Sequence, residues 1–196
     1  MLFMSQLDDR RQTPPPAKFF SAVMWSEEER RMEAERMLSE RLGPIERRSE
    51  PYDFTEFSTY YDREMGGRPQ KYFVVFERVF SVEKLVDVKL LAEEIQRRLA
   101  HPGDGPLLRT VNLDPGYVTG WNLVLSTVKN YAHRIHLGQG IYAEVTLLFR
   151  NGAFEPLPWT YRDYCSPRVI DFFRAVRCDY LEQLKNWSAA TWVDGA

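Results

Sequence analysis

The chain has little of what usually betrays a function. It holds two cysteines and three histidines in 196 residues. Two thiols, Cys165 and Cys178, cannot staple a fold of this length, so a disulfide scaffold is excluded and reduced thiols are expected. No Cys/His spacing suggests zinc and no acidic loop has the EF-hand form, so no metal is assigned. Long hydrophobic runs are missing as well. The longest, such as Tyr72–Phe76, are strand-sized, against the about 20 residues a membrane-spanning helix needs. The start, MLFMSQLDDRRQ, has no basic segment followed by a sustained apolar one, so no signal peptide is read. The expectation is a cytoplasmic protein without a membrane partner.

Charge of either sign is also not in excess. Twenty-six Lys/Arg stand against 28 Asp/Glu, a formal net charge of −2. That argues against a broad basic surface for duplex nucleic acid, yet allows a small basic pocket for one phosphate. The common nucleotide and hydrolase signatures are absent: no G-x-x-x-x-G-K-[ST], no G-x-G-x-x-G opening a helix, no G-x-S-x-G elbow. No cofactor is therefore indicated.

What is present is enough for a packed core: 44% hydrophobic and 14% aromatic residues. Residues 1–17, with Pro14-Pro15-Pro16, read as a disordered tail, and those from 188 on as a loose end; 18–187 reads as one α+β domain. Lys18–Trp25 is a buried first strand. Ser26 and Glu29 form S-x-x-E, a capping box opening a helix that Gly43-Pro44 ends. Ile45–Phe54 is a second strand. Thr55–Met65, aromatic and acidic, is an ordered loop or short helix closed by Gly66-Gly67. Gln70–Phe80 is a strand of β-branched and aromatic residues. Ser81 caps a helix with Leu85, Val88, Ala92, Ile95 and Leu99 along one side. Leu107–Leu113 is the next strand. This order, strand-helix-strand-strand-helix-strand, predicts a ferredoxin-like βαββαβ core.

Residues 108–149 carry the chemistry. Asp114-Pro115 suits a helix start, so a helix to about Lys129 is expected, with Val118, Trp121, Leu125 and Val128 inward. Ala132–Leu137 and Ile141–Arg150 form a hairpin across Gly138-Gln139-Gly140, with Phe154–Leu157 pairing back after the Asn151-Gly152 turn. Ser166-Pro167 opens a last helix with Val169, Phe173, Val176, Tyr180 and Leu184 inward. The core thus gains an appended helix, a hairpin and a C-terminal helix.

With a three-residue turn, Arg134 faces Glu144 and His136 faces Tyr142, on one side with Thr146. An Arg fork can hold phosphate or carboxylate, and Glu144 or His133 can move a proton. The plain alternative is a cross-strand ion pair, with His133 among the apolar residues of the other side. Asp114 can orient a metal or water, or merely cap a helix; Tyr117 lies beside it. Lys129 can meet a phosphate or the helix terminus. Trp159-Thr160-Tyr161-Arg162-Asp163-Tyr164 can stack on a ring or plug the gap under the last helix.

The strings DFTEF, YY and EMG from Asp53, NLDPGY from Asn112, HRIHLGQGIYAEVTL from His133 and PLPWTYRDY from Pro156 resemble a bacterial domain-of-unknown-function family over about residues 17–187. The family pattern has Tyr where this chain has His136 and Thr where it has Val128, which demotes both. Asp114, Tyr117, Lys129, His133, Arg134 and Glu144 match it, which raises His133. Some members carry a GTP-binding label, which no guanine motif here supports. The functional expectation is a small anionic or phosphorylated ligand bound at 112–146, whether or not it is turned over. Glu144, His133 and Asp114 would serve chemistry; Arg134, Lys129, Tyr117, Thr146 and Trp159 would bind. The alternatives are a non-enzymatic module that docks a protein and, more weakly, nucleotide binding without a P-loop.

Overall fold

The computed structural model describes residues 14–58, 62–65, 68–102 and 108–185. Most of the expected N-terminal tail, the C-terminal end and the Gly66-Gly67 turn lie outside the described residues.

The molecule is built on one nine-stranded sheet. In chain order the strands are β1 (Ala17–Trp25), β2 (Ile45–Arg48), β3 (Tyr52–Asp53), β4 (Gln70–Phe80), β5 (Val111–Val118), β6 (Asn122–Thr127), β7 (Ile135–Gly138), β8 (Ile141–Arg150) and β9 (Ala153–Pro156). The helices are α1 (Glu28–Leu42), α2 (Asp62–Met65), α3 (Leu85–Leu99) and α4 (Pro167–Lys185). The sheet order is β2-β4-β1-β5-β6-β8-β7, with β3 on β4 and β9 on β8. Every pairing is antiparallel. The fold is α+β. Its first half, β2-β4-β1-β5 with α1 and α3 as the connections, has the strand order of a split β-α-β arrangement.

β1 lies at the centre, which is why all its residues but Trp25 are buried. Phe19 and Val23 face one side, with Leu38 of α1 and Ala92, Ile95 and Leu99 of α3. Phe20, Ala22 and Met24 face the other, with Val169, Phe173 and Val176 of α4. The period-two alternation of β1 thus feeds two cores, one under α1 and α3 and one under α4. Phe173 packs edge-on against Phe20 and Phe73 and stacks on Tyr164. An aromatic cluster of this kind gains beyond its buried area.

Three expectations are corrected. First, no helix spans 115–128: this stretch is β5, a turn and β6. Val118, Leu123 and Leu125 face the α4 core and Val124 the other, a period of two. Trp121, expected inward, is 68% exposed at the hairpin tip. The turn is fixed by Thr119, whose backbone N–H donates to Asn122 O and whose Oγ1 accepts from the backbone N–H groups of Trp121 and Asn122. The helical spacing of Val118, Trp121, Leu125 and Val128 was a coincidence that sheet pairing overrode. Gly116 permits the close pairing: a Cβ there would sit 2.2 Å from the Val124 carbonyl oxygen. Second, Ser26 does not cap α1, whose start has no side-chain cap. Its backbone N–H prolongs the sheet by donating to Thr110 O at 3.1 Å. Third, the second strand is broken into β2 and β3, and the strand expected at 107–113 begins at Val111.

A split in the sheet forms the candidate site

β5 and β6 pair only from Gly116 to Val118. Toward the N-terminal end of β5 the strands part. β5 stays on β1, and β6 stays on β8 as far as Thr127 opposite Tyr142. The parting falls at Pro115, which has no N–H to give to a partner strand. The backbone groups left facing the gap are met by side chains. Ser126 Oγ donates to Pro115 O at 2.7 Å. Leu113 N–H donates to Gln96 Oε1 at 3.0 Å, and Lys89 Nζ donates to Leu113 O at 3.1 Å. Lys89 and Gln96 therefore sit within the apolar stripe of α3 because a split sheet needs polar groups there.

The gap opens into a cavity of about 840 Å³. On the α4 face its lining includes Lys71 of β4, Met24 of β1, Asn112 and Asp114 of β5, Leu125 of β6 and Glu144 of β8. Phe54, Phe57 and Ser58, in and after a 3-10 turn at Phe54–Glu56, form part of another wall with Glu64 of α2. The segment 159–164 forms the opposite wall. It is tied to β8 by Trp159 Nε1 donating to Val145 O at 2.8 Å and by Thr160 Oγ1 donating to Thr146 O at 2.5 Å.

Glu144 is the hub of the β8 side. Its side chain is 1% exposed. Oε2 accepts from Arg134 Nε at 2.7 Å and lies 3.1 Å from His133 Nε2. Arg134 also donates to the Lys129 carbonyl at 2.9 Å and to the Tyr161 hydroxyl at 2.8 Å. His133 stacks on Trp159, ring centres 5.0 Å apart. The hairpin thus brings Arg134 to Glu144 and His136 opposite Tyr142. The turn is nevertheless the two residues Gln139-Gly140, with an irregularity that absorbs Leu137. His133, expected among apolar residues, lies before β7 begins and so escapes strand alternation. It reaches the same carboxylate as Arg134.

On the β5 side a chain of polar contacts crosses the cleft. Arg109 grips Glu64 with Nε at 2.6 Å and Nη2 at 2.8 Å, and donates through Nη1 to Asn112 Oδ1 at 2.8 Å. Asn112 donates to Asp114 Oδ2 at 2.8 Å. Lys89 lies 3.3 Å from Asp114 and 2.9 Å from Glu93. Burial pushes the Asp114 carboxyl up, but Lys89, Lys71 and the Asn112 hydrogen bond outweigh it and hold the group below its ordinary value. Below them Lys71 Nζ meets Asp163 Oδ2 at 2.5 Å, and the Tyr52 hydroxyl donates to the same oxygen at 2.9 Å.

Two phenols complete the lining. Burial, with the charge of Glu144 against the opposing one of Arg134, pushes Tyr161 up to about 12. Burial and the charges of Asp163 and Asp114 push Tyr164 well above the ordinary phenol value. Both therefore stay protonated near neutrality. Two of the lining residues also carry a polar atom that is closed to solvent and has no hydrogen-bond partner among the described residues: Glu144 Oε1 and the Tyr164 hydroxyl.

Of the residues singled out in the sequence, Asp114, Lys129, Arg134, Glu144 and Trp159 line this cavity. Asp114 caps no helix; it lies within β5. His133 stands behind the lining, holding Glu144. Thr146 is buried outside the lining, and its Oγ1 has no hydrogen-bond partner among the described residues. Tyr117 points away, packed with the α1/α3 core and against Phe19. Lys71, Lys89, Arg97 and Arg109 were not singled out. The available signal was a Lys and a Gln, Lys89 and Gln96, at i and i+7 inside an apolar helix stripe. Among the described residues no three His, Cys, Asp or Glu gather as a metal-binding group, and no helix is long and apolar enough to cross a membrane. Cys165 and Cys178 are unpaired.

A family model, Domain of unknown function (DUF4416), matches residues 15–180. The chain belongs to this family. No curated protein and no solved structure matches it.

Proposed function

We propose that the protein binds a small anionic ligand in the cleft between β5 and β6. The observation that carries this reading is the character of the cavity: in a chain of net charge −2, seven Lys/Arg and five Asp/Glu line one concave site of about 840 Å³. Its size lies within the range of small-molecule sites. Arg134, expected to hold the anion, has Nε, Nη1 and Nη2 engaged by Glu144, Lys129 and Tyr161 and acts as a brace for the wall. Arg97 and Arg162 line the cavity with no acidic partner among the described residues and are the better anion contacts. Glu144 and Asp114 remain the groups able to accept a proton, with His133 positioning Glu144.

The test is a thermal-shift screen against nucleotides, sugar phosphates, hydroxy acids and Mg²⁺. A ligand at a hundred times its Kd stabilises the native state by about 2.7 kcal/mol, a rise of several degrees. Arg97→Ala with Arg162→Ala should abolish the rise. No response to any anion overturns the reading.

A second reading, a protein-docking module, is favoured by the outer edge of the sheet. β7 ends the strand order and leaves Ile135 70% and Leu137 43% exposed, with Tyr131 67% exposed nearby in sequence. An apolar edge strand is a ready template for another strand. Sedimentation of wild type against Ile135→Lys tests it; identical monomeric profiles count against self-pairing at this edge.

A further inference from the structure

Resting on the docking reading, the two faces of the open sheet edge and the charges beside it specify a partner. We infer that β7 receives an extended segment of another protein, in which apolar residues alternate with acidic ones.

Among the described residues β7 pairs with β8 alone, so its outer row of backbone N–H and C=O groups is open to an added strand. An added strand continues both faces of the sheet, and at β7 the two faces differ. Ile135 stands opposite Ala143, which packs against the α1/α3 core, so Ile135 extends that face and is left exposed at the edge. His136 stands opposite Tyr142, with ring centres 5.0 Å apart. Tyr142 shares its face of β8 with Glu144, two residues on, which lines the cleft. A partner residue beside Ile135 therefore meets an aliphatic side chain, and its neighbour in sequence meets the cleft face.

The accessible charge on the cleft face is positive. Residues 127–143 and 157–162 contain no Asp or Glu. The flanking carboxylates, Glu144 and Asp163, are buried and held by Arg134 and Lys71. Lys129 and Arg162 are exposed and line the cleft with Trp159 and Tyr161. Arg134, one residue before β7, ties both segments to the start of this strand by donating to the Lys129 carbonyl and the Tyr161 hydroxyl. Acidic side chains on the cleft side of an added strand complement these cations, and apolar ones on the other side cover Ile135. Ile135–Gly138 of a second copy carries no carboxylate to offer them. A single-stranded nucleic acid would leave the open backbone row of β7 unpaired.

The experiment is fluorescence anisotropy of labelled peptides titrated with the full chain at low salt, where such charge contacts are least screened. The probe is Glu-Val-Glu-Val-Glu-Val-Glu. One control, Lys-Val-Lys-Val-Lys-Val-Lys, reverses the charge. The other, Glu-Val-Glu-Pro-Glu-Val-Glu, keeps the charge but loses a backbone N–H and interrupts the strand. The acidic probe should bind at least about tenfold tighter than either control. Lys129→Glu with Arg162→Glu should invert the preference toward the lysine peptide while the melting curve stays cooperative. Ile135→Thr keeps a β-branched residue and should weaken the acidic probe about threefold or more. Equal affinity for the acidic and proline peptides overturns the inference, because attraction is then independent of strand addition. Equal affinity for the acidic and lysine peptides overturns it on the charge. So does an oligothymidylate or an anionic-lipid vesicle that binds more tightly than the acidic probe. No binding of the acidic probe up to about 1 mM chain overturns it as well. The docking reading then stands if sedimentation shows self-association that Ile135→Lys abolishes, and falls if the wild type is monomeric and no peptide binds.

Discussion

Replacing Lys71 with methionine leaves Asp163 a buried carboxylate whose remaining side-chain partner is the Tyr52 hydroxyl. The side chains of Lys71 and Asp163 are 8% and 2% exposed, and their charged atoms are 2.5 Å apart. Lys71 Nζ also lies 5.0 Å from the ring centres of Phe54 and Tyr164, so no water shell can replace the lost cation cheaply. Breaking one side of a buried pair costs about 3–5 kcal/mol, because the surviving charge stays desolvated. At about 2–4 °C per kcal/mol for a chain of this size, Lys71→Met should lower Tm by roughly 6–20 °C. The assay is urea unfolding, with the midpoint falling and the m-value unchanged. The control is Lys71→Met with Asp163→Asn, which removes both charges and keeps an oxygen for Tyr52. It should recover at least half of the loss. A single variant within about 1 kcal/mol of wild type, or a double variant no better than the single, would refute the claim that the pair is desolvated. The pair joins β4 to the 159–164 wall, so the same variant should also loosen the cleft.

Two further predictions concern the split itself. Asp114 has its carboxyl held below the ordinary value of 3.8, so its stabilising effect is present above that pH and is lost as pH falls through the depressed folded-state value. Asp114→Asn should therefore flatten the loss of stability on acidification below about pH 4, measured by urea midpoints across pH; an unchanged acid limb would show that Lys89 and Lys71 do not stabilise this carboxylate. Gly116→Ala forces a Cβ to within 2.2 Å of the Val124 carbonyl oxygen and against Phe20, so β5 and β6 must move apart. A cost of about 1–3 kcal/mol by chemical denaturation is expected, and a neutral substitution would mean that the strands already part above Gly116.

Much of the scaffold was readable from local pattern. β1, β4, α3 and α4 were legible because burial and periodicity agreed along each of them. β9 was legible because Asn151-Gly152 is a strong turn signal. The stretch 115–128 was misread because a handful of apolar residues fits both a 3.6 and a 2.0 period when taken alone. Only a neighbouring strand chooses between them, and here β8 and β1 did. The site followed the same division. The hairpin register gave Arg134 with Glu144 from spacing alone. His133 and Arg134 both lie before β7, outside its alternation, and the loop there lets both side chains reach Glu144 where strand geometry would send them to opposite faces.

The sequence by itself determined which segments are apolar enough to be buried and where the chain must turn. It also fixed the family membership, which rests on residues 15–180. Tertiary structure decided everything that depends on two distant segments sharing one space. Lys71 meets Asp163 across 92 residues, and Lys89 reaches Leu113 and Asp114 through the split. The physical reason is that hydrophobic burial is non-directional and can be read one residue at a time. Hydrogen bonds and ion pairs are directional and short-ranged, so a cleft made of them exists only once the sheet has brought both partners together.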